Sequence, residues 1–157
     1  MQDFEQLPYL NAVIKEGFRL SYGVTTRLAR VAPDTTLHCY GHKIPADTTV
    51  SMTLVLQNMD TLLFPNPERF DPRRWLDSDD LHFDRYFVNL SKSTRACVGI
   101  NLAIGEIVST SATIFGNFDI KLYESTRADV EVARDYFTGY ASPRSNGLRV
   151  TLKPKPL

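Results

Sequence analysis

One stretch of the sequence decides the fold: Phe87-Val-Asn-Leu-Ser-Lys-Ser-Thr-Arg-Ala-Cys97-Val-Gly-Ile-Asn-Leu-Ala-Ile-Gly105. Residues 90–95 are small, polar and basic, which is typical of an irregular loop. From Val98 onward, apolar residues recur at near-helical spacing and predict a helix over 98–115. Cys97 lies where the loop meets this helix. The helix N-terminus and the charge of Arg95 would both stabilise a negatively charged sulphur there.

Residue type alone leaves three roles open for Cys97. It could be a small apolar side chain packed at a helix start. It could be a nucleophilic thiol, which would need a nearby histidine base, but no recognisable motif surrounds His38, His42 or His82. It could also be an anionic sulphur ligand for iron, as in haem proteins with cysteine ligation.

A family resemblance favours the iron ligand. The segment resembles the cysteine-loop signature of the cytochrome P-450 superfamily, Phe-x-x-Gly-x-Arg-x-Cys-x-Gly, in the form common among fungal members. The arginine, the cysteine and the last glycine of that pattern are present as Arg95, Cys97 and Gly99. The chain departs from it at two positions, with Leu90 for the usual Phe and Ser93 for the usual Gly. Ser91, at a variable position of the pattern, also stands where Gly is usual. A serine adopts a positive φ at Ser93 only at an energetic cost that glycine avoids.

Two further signatures stand upstream in the expected order. Glu16 and Arg19 are three residues apart within a predicted helix over 6–20, and taken alone they would be read as a surface ion pair. Arg69 belongs to Pro67-Glu68-Arg69-Phe70. The resemblance implies that Glu16, Arg19 and Arg69 interlock and fix the loop that carries Cys97, without taking part in the chemistry.

The resemblance also implies a set of site residues around haem b. Cys97 would be the axial ligand of the haem iron. The residues implied in cofactor binding are Arg95, Arg30, Leu90 and Gly99. Arg27 could join Arg30 at a haem propionate, although both arginines could equally lie on a solvated strand edge. The residues implied at the substrate pocket are Val24, Thr25, Thr26, Phe137 and Thr138.

Local patterns predict the remaining elements. The expected order is a hairpin over 37–50 turning at Tyr40-Gly41-His42, a short helix over 50–59, an extended connection over 60–75, a strand over 118–123, a polar surface segment over 125–135, and a terminal hairpin of 136–142 with 148–152 around Asn146-Gly147. His38, Cys39 and His42 look superficially like metal ligands. Hairpin geometry would not hold them together as a set, and no second pair stands at zinc spacing.

Composition narrows the class of protein. The 157 residues suffice for one domain with a core. Because 18 basic residues balance 18 acidic ones, no charge pattern points to nucleic acid or to an anionic membrane. Two cysteines give no disulfide framework, and no apolar run is long enough to span a bilayer. The chain by itself is therefore expected to be soluble and cytoplasmic.

Taken together, these features predict a mainly helical α+β fold. Residues 1–157 would form the C-terminal, haem-proximal part of a cytochrome P-450 domain, without its upstream oxygen-activating helix. The resemblance implies a haem-thiolate monooxygenase that inserts one oxygen atom of O2 into a small apolar substrate. Electrons would come from NADPH through a reductase, and the full-length parent would reside at the endoplasmic reticulum membrane. The alternative is a truncated, non-catalytic remnant that at most binds haem.

Overall fold

The computed structural model describes residues 7–76 and 85–156 of the chain. Helix α1 spans Pro8–Ser21, α2 spans Leu54–Asn58 and α3 spans Ile100–Asn117. The strands are β1 (Arg30–Val31), β2 (Leu37–Cys39), β3 (His42–Ile44), β4 (Thr49–Val50), β5 (Phe118–Leu122), β6 (Arg134–Tyr136), β7 (Thr138–Tyr140) and β8 (Val150–Pro154). Short 3₁₀ turns occupy Pro72–Trp75, Ser93–Arg95 and Arg127–Asp129.

The strands form separate antiparallel pairs: β1 with β4, β2 with β3, β5 with β8 and β6 with β7. The hairpin predicted over 37–50 is confirmed only over 37–44, as β2–β3, because Thr49–Val50 pair with β1 instead. Tyr40 and Gly41 have φ values of 47° and 79°. Positive φ at both central residues is what a two-residue hairpin turn of this twist requires.

The predicted terminal hairpin is wrong in its pairing. Residues 148–152 contribute to β8, which pairs with β5 from Phe118↔Pro154 to Leu122↔Val150. The hairpin near the C-terminus is β6–β7, which turns at Phe137 instead of Asn146-Gly147. Two five-residue strands satisfy more backbone hydrogen bonds in a ladder with each other than β8 could gain from the short segment before Gly147.

Helix boundaries differ modestly from the prediction. Helix α1 begins at Pro8, which suits a first turn because proline lacks only an N–H that would have no partner there; Gln6 lies outside the described residues. Helix α3 begins at Ile100, two residues after the predicted Val98. The predicted surface segment over 125–135 includes the start of β6.

Helix α3 is rich in apolar residues, and its side chains are largely exposed. Leu102 and Phe115 are 67% and 63% exposed, and α3 has no buried residue. Over 7–76 and 85–156, no helix combines the length and the apolar character needed to cross a membrane.

A buried carboxylate organises the packing around α1. Glu16 and Arg19 are both fully buried. The Arg19 guanidinium forms a bidentate pair with Glu16, in which Nε donates to Oε2 at 2.9 Å and Nη2 donates to Oε1 at 2.9 Å. Glu16 also accepts hydrogen bonds from the Asp71 backbone N–H at 2.9 Å and from Trp75 Nε1 at 2.9 Å. The carboxylate therefore ties α1 to the 3₁₀ turn at Pro72–Trp75.

The second cation on Glu16 is Arg74, not Arg69. Arg74 Nε lies 3.1 Å from Glu16 Oε1, and its side chain is 8% exposed. The Arg69 side chain is 72% exposed and approaches Asp71 at 3.9 Å. Arg69 joins the cluster only through its backbone carbonyl, which accepts from Arg19 Nη2 at 3.3 Å. The chain turns between Arg69 and Arg74, and this turn places the Arg74 side chain against Glu16 of α1.

Aromatic rings enclose this polar cluster. Phe64 is buried, and the Arg19 guanidinium lies over its ring at 5.2 Å. Trp75 contacts Phe64 and Phe87 with ring centroids 6.1 Å and 5.8 Å apart, and Phe18 contacts Phe87 at 6.1 Å. These rings exclude water, which strengthens the charge-assisted hydrogen bonds that remain.

Burial and hydrogen bonding change the pKa of Glu16 in opposite directions. Burial by itself raises the pKa of Glu16, but the hydrogen bonds from Arg19, Asp71 and Trp75 and the charge of Arg19 outweigh it. The pKa of Glu16 therefore lies below its ordinary value of 4.5. The carboxylate is held ionised, as its two guanidinium partners require.

The arginine assignment can be tested by substitution. Replacing Arg74 with Ala removes a charge-assisted hydrogen bond from a buried carboxylate and should lower the free energy of unfolding by about 2 kcal/mol. Replacing the exposed Arg69 with Ala should change it by less than about 0.5 kcal/mol, because its contribution comes from the backbone carbonyl. Urea denaturation of the full chain measures both values. A larger loss for Arg69→Ala than for Arg74→Ala would contradict the assignment.

Candidate functional site

The cysteine loop (residues 90–99) is closed by its own backbone. The Cys97 N–H donates to the Leu90 carbonyl at 2.8 Å, and the Ala96 N–H donates to the Ser93 carbonyl at 3.0 Å across the 3₁₀ turn. Leu90 is half-buried, whereas the Cys97 side chain is exposed as a free thiol. The loop therefore presents its sulphur outward from a closed backbone ring.

Helix α3 starts directly after this ring. Gly99 is its N-cap residue, and no side chain caps the terminus. The Ile100 N–H donates to the Cys97 carbonyl at 3.3 Å. A β-carbon added at Gly99 would lie 3.9 Å from Cys97 Sγ, so glycine leaves the space beside the sulphur open. The positive end of the helix dipole is thus close to the sulphur, as the sequence predicts.

Two serines hold the loop in a strained conformation. Ser91 and Ser93 have φ values of 59° and 58°, in the left-handed region that glycine adopts freely. Ser93 stands at the first glycine of the quoted family pattern, and Ser91 stands at a variable position of that pattern where glycine is also usual. Both serines therefore adopt a backbone conformation that glycine favours, and they do so at an energetic cost.

A pair of asparagines connects the buried cluster to the loop. Asn58 is buried and donates through Nδ2 to the Arg19 carbonyl at 3.0 Å, while Arg19 Nη1 donates to the Asn58 carbonyl at 2.8 Å. Asn89, next to Leu90, donates through Nδ2 to the Phe18 carbonyl at 2.7 Å. Asn58 Nδ2 also lies 3.5 Å from Asn89 Oδ1. The base of the cysteine loop is thus bonded to the C-terminal turn of α1.

Sequence reasoning missed both asparagines. The only signal for Asn58 was its place at the polar end of the short helix α2, which is otherwise mostly apolar. Asn89 offered none beyond its position before the loop.

The residues expected to bind haem propionates lie at the surface. Arg95 ends the 3₁₀ turn of the loop, and its side chain is exposed. Arg30 lies in β1, and Nη1 donates to the Ala29 carbonyl at 2.9 Å. Arg27 is also exposed. All three arginine side chains are therefore accessible to an anionic ligand.

The predicted pocket residues come from distant parts of the chain and meet. Val24 and Thr138 form an antiparallel bridge. The Thr25 N–H donates to the Phe137 carbonyl at 3.1 Å, and the Thr26 N–H approaches the same oxygen at 3.4 Å. Thr25 is buried, whereas Phe137 is 56% exposed. The structure therefore joins the segment after α1 to the β6–β7 turn.

The donor set suits an iron held by a single sulphur within a haem. In the part of the chain that the structure describes, no three His, Cys, Asp or Glu side chains are grouped to hold a bare metal ion. Cys97 is exposed on a closed loop beside exposed Arg95. A macrocycle that brings its own four nitrogen ligands and two carboxylates needs one protein ligand and nearby cations.

The strain in the loop leads to a stability prediction. Ser93→Gly should relieve a left-handed serine by about 1 kcal/mol, and this gain is opposed by the greater freedom of glycine in the unfolded chain. Ser51→Gly, at an exposed position outside the positive-φ residues, should show only the loss. The two variants should therefore differ by about 1 kcal/mol in unfolding free energy, measured by urea denaturation. Equal values would show that Ser93 is not strained.

Comparison with known proteins finds fungal monooxygenases that match nearly the whole of this chain. A tryptophan 6-hydroxylase (fscE) of Fusarium equiseti is 46% identical over 153 residues, which are 96% of this chain and 30% of that protein. A cytochrome P450 monooxygenase (claJ) of Penicillium crustosum is 45% identical over 148 residues, 93% of this chain and 34% of that protein. The chain therefore spans 30% to 34% of the length of these two relatives.

The fold has a solved counterpart. The structure of retinoic acid-bound cyanobacterial CYP120A1 matches with a TM-score of 0.76 and 24% identity, over 99% of this chain and 35% of that one. This match confirms the predicted mainly helical α+β fold with small sheets. The sequence model of the family described as Cytochrome P450 matches residues 1–138. This chain belongs to the cytochrome P450 family.

Proposed function

We propose that the chain supplies the haem-binding part of a monooxygenase that inserts one oxygen atom of O2 into an apolar organic substrate. The observation that carries the proposal is Cys97, an exposed thiol on a backbone ring closed to Leu90, directly before α3. A family member with this arrangement has the one protein ligand that the chemistry requires. Residues 1–157 would form the haem-proximal part of the domain.

Haem b, when bound through a thiolate, supplies the activation of O2 and the cleavage of its O–O bond. The residues of this chain would bind and orient that group. Cys97 would bind the iron, while Leu90 and Gly99 would lie next to the haem on the side of the sulphur. Arg95 and Arg30 would each donate charge-assisted hydrogen bonds to a propionate.

The pocket residues would orient the substrate and exclude water. Val24, Thr26 and Thr138 would border it, and Phe137 offers an exposed aromatic face. Thr25 would support these residues from the protein interior, since its own side chain is buried. Two relatives are named for tryptophan-type hydroxylation, the protein of Fusarium equiseti and an N-acetyltryptophan 6-hydroxylase (ivoC) of Emericella nidulans. We therefore propose a small, largely apolar substrate, with an aromatic ring as the first candidate.

The same proposal includes a partner and a place in the cell. The reaction needs two electrons, which NADPH would provide through a reductase. The full-length parent would be held at the endoplasmic reticulum membrane, with this part of the domain on the cytosolic side. A role in fungal secondary metabolism would fit the relatives, which include several fungal monooxygenases.

A reduced, carbon monoxide-bound absorption spectrum tests the ligand. The full chain reconstituted with haem should give the red-shifted Soret band of thiolate ligation, and Cys97→Ala should abolish it. Cys39→Ala is the matched control, because Cys39 is the other exposed free cysteine and lies in β2. Its spectrum should equal that of the unsubstituted chain.

Two results would contradict the proposal. An unchanged spectrum in Cys97→Ala would assign the ligand elsewhere. A free-haem spectrum in all three proteins would show that these residues do not form the site. A thiolate spectrum without product formation, when reductase, NADPH and an indole are supplied, would instead support the alternative of haem binding without turnover.

A further inference from the structure

The carboxylate of Asp135 lies at a junction between two segments of the proposed pocket. Asp135 is in β6, within a stretch whose polarity predicts only a solvated surface. Its Oδ1 accepts a hydrogen bond from Thr25 Oγ1 at 2.6 Å and another from the Phe137 N–H at 3.1 Å. Residues 110 positions apart in the chain thus share one oxygen atom.

The Thr25 hydroxyl is fully committed to this contact. Thr25 is 6% exposed, and its Oγ1 also lies 3.3 Å from the Phe137 carbonyl oxygen. A hydroxyl has one proton, and the carboxylate oxygen of Asp135 at 2.6 Å is the nearer acceptor. Thr25 therefore uses its proton to hold Asp135 and has none to offer a substrate.

Asp135 also supports a strained turn. Phe137 has a φ of 79°, which is unfavourable for an aromatic residue and requires compensation from its surroundings. Its N–H donates to Asp135, and its carbonyl accepts from the Thr25 N–H at 3.1 Å. Both polar backbone groups of the strained residue are thus bonded to the two residues that carry the contact.

Close packing at Gly139 also holds this junction together. A β-carbon added at Gly139 would lie 2.7 Å and 2.9 Å from the two Val132 methyl groups and 3.4 Å from Thr25 Cγ2. A side chain there would push against Val132 and Thr25, so glycine allows β7 to pack closely against both residues. The junction is therefore held by hydrogen bonds through Asp135 and by close packing at Gly139.

We infer that Asp135 is a positioning residue that fastens the β6–β7 turn to the segment after α1, so that Val24–Thr26 and Phe137–Thr138 move as one wall. We call the contact among Thr25, Asp135 and Phe137 the Asp135 clamp. That this wall orients a substrate rests on the proposed function; the clamp itself does not. Substrate selectivity would then depend on Asp135, which holds the wall through Oδ1 without contacting the substrate itself.

Amide hydrogen exchange on the full chain tests the clamp. Asp135→Ala and Thr25→Val each remove one partner and should speed exchange at the Thr25 and Phe137 amides by about tenfold or more. Thr25→Ser keeps the hydroxyl and should preserve slow exchange. Amides of the β5–β8 ladder serve as the reference, and their rates should not change. Unchanged rates at Thr25 and Phe137, or an equal rise at every amide, would overturn the clamp.

A binding measurement tests the role of the wall. In haem-loaded protein, imidazole and phenylimidazole are titrated while the Soret band is followed. Asp135→Ala should weaken phenylimidazole binding at least about threefold relative to imidazole, because only the larger probe reaches beyond the iron to the wall. An unchanged ratio together with faster amide exchange would overturn the substrate role.

The two proposals fail in different ways. Loss of the thiolate spectrum in the unsubstituted chain would be a failure of the proposed function. The exchange measurement needs no haem, so it decides the clamp in either case.

Discussion

The structure depends on one ionised carboxylate placed where water cannot reach it. Glu16 is fully buried, and its two oxygens accept hydrogen bonds from two guanidinium groups, an indole N–H and a backbone N–H. Such a cluster holds together only while complete, because losing one partner leaves a charge buried without compensation. The constraint is geometric as much as energetic: α1 and the turn at Pro72–Trp75 must keep their relative positions for every bond to survive.

The cluster matters for function because it reaches the cysteine loop. Arg19 and Asn58 exchange hydrogen bonds in both directions, and Asn89 bonds to the end of α1 one residue before the loop begins. The loop itself contains two serines in left-handed conformations, which the local sequence would not choose. A strained loop needs a rigid base, and the buried cluster provides it. The sulphur of Cys97 is therefore positioned by residues far from it in the chain.

Much of this could be predicted because the decisive residues carry local signatures. The spacing of Glu16 and Arg19 and the residues around Cys97 are sequence patterns, and the helices that bear them follow from apolar periodicity. The rest depends on where the chain returns. Arg69 matched the family pattern, but Arg74 is the residue that contacts Glu16. The local sequence did not show this, because the course of the backbone from Arg69 to Arg74 determines which guanidinium is buried. Asn-Gly at 146–147 indicated a hairpin, but β8 found a longer partner in β5. Asp135 gave no signal, since its partner Thr25 is 110 residues away.

The Glu16 cluster holds the cysteine loop closed through Arg19, Asn58 and Asn89. The most direct measurement is hydrogen exchange at the Cys97 amide, whose bond to the Leu90 carbonyl closes the loop. Glu16→Gln keeps the shape of the side chain and removes its charge. In this variant, exchange at the Cys97 amide should become faster by about tenfold or more, while exchange in the β5–β8 ladder should stay unchanged. Unchanged exchange at Cys97, in a variant whose α1 amides have become faster, would contradict it.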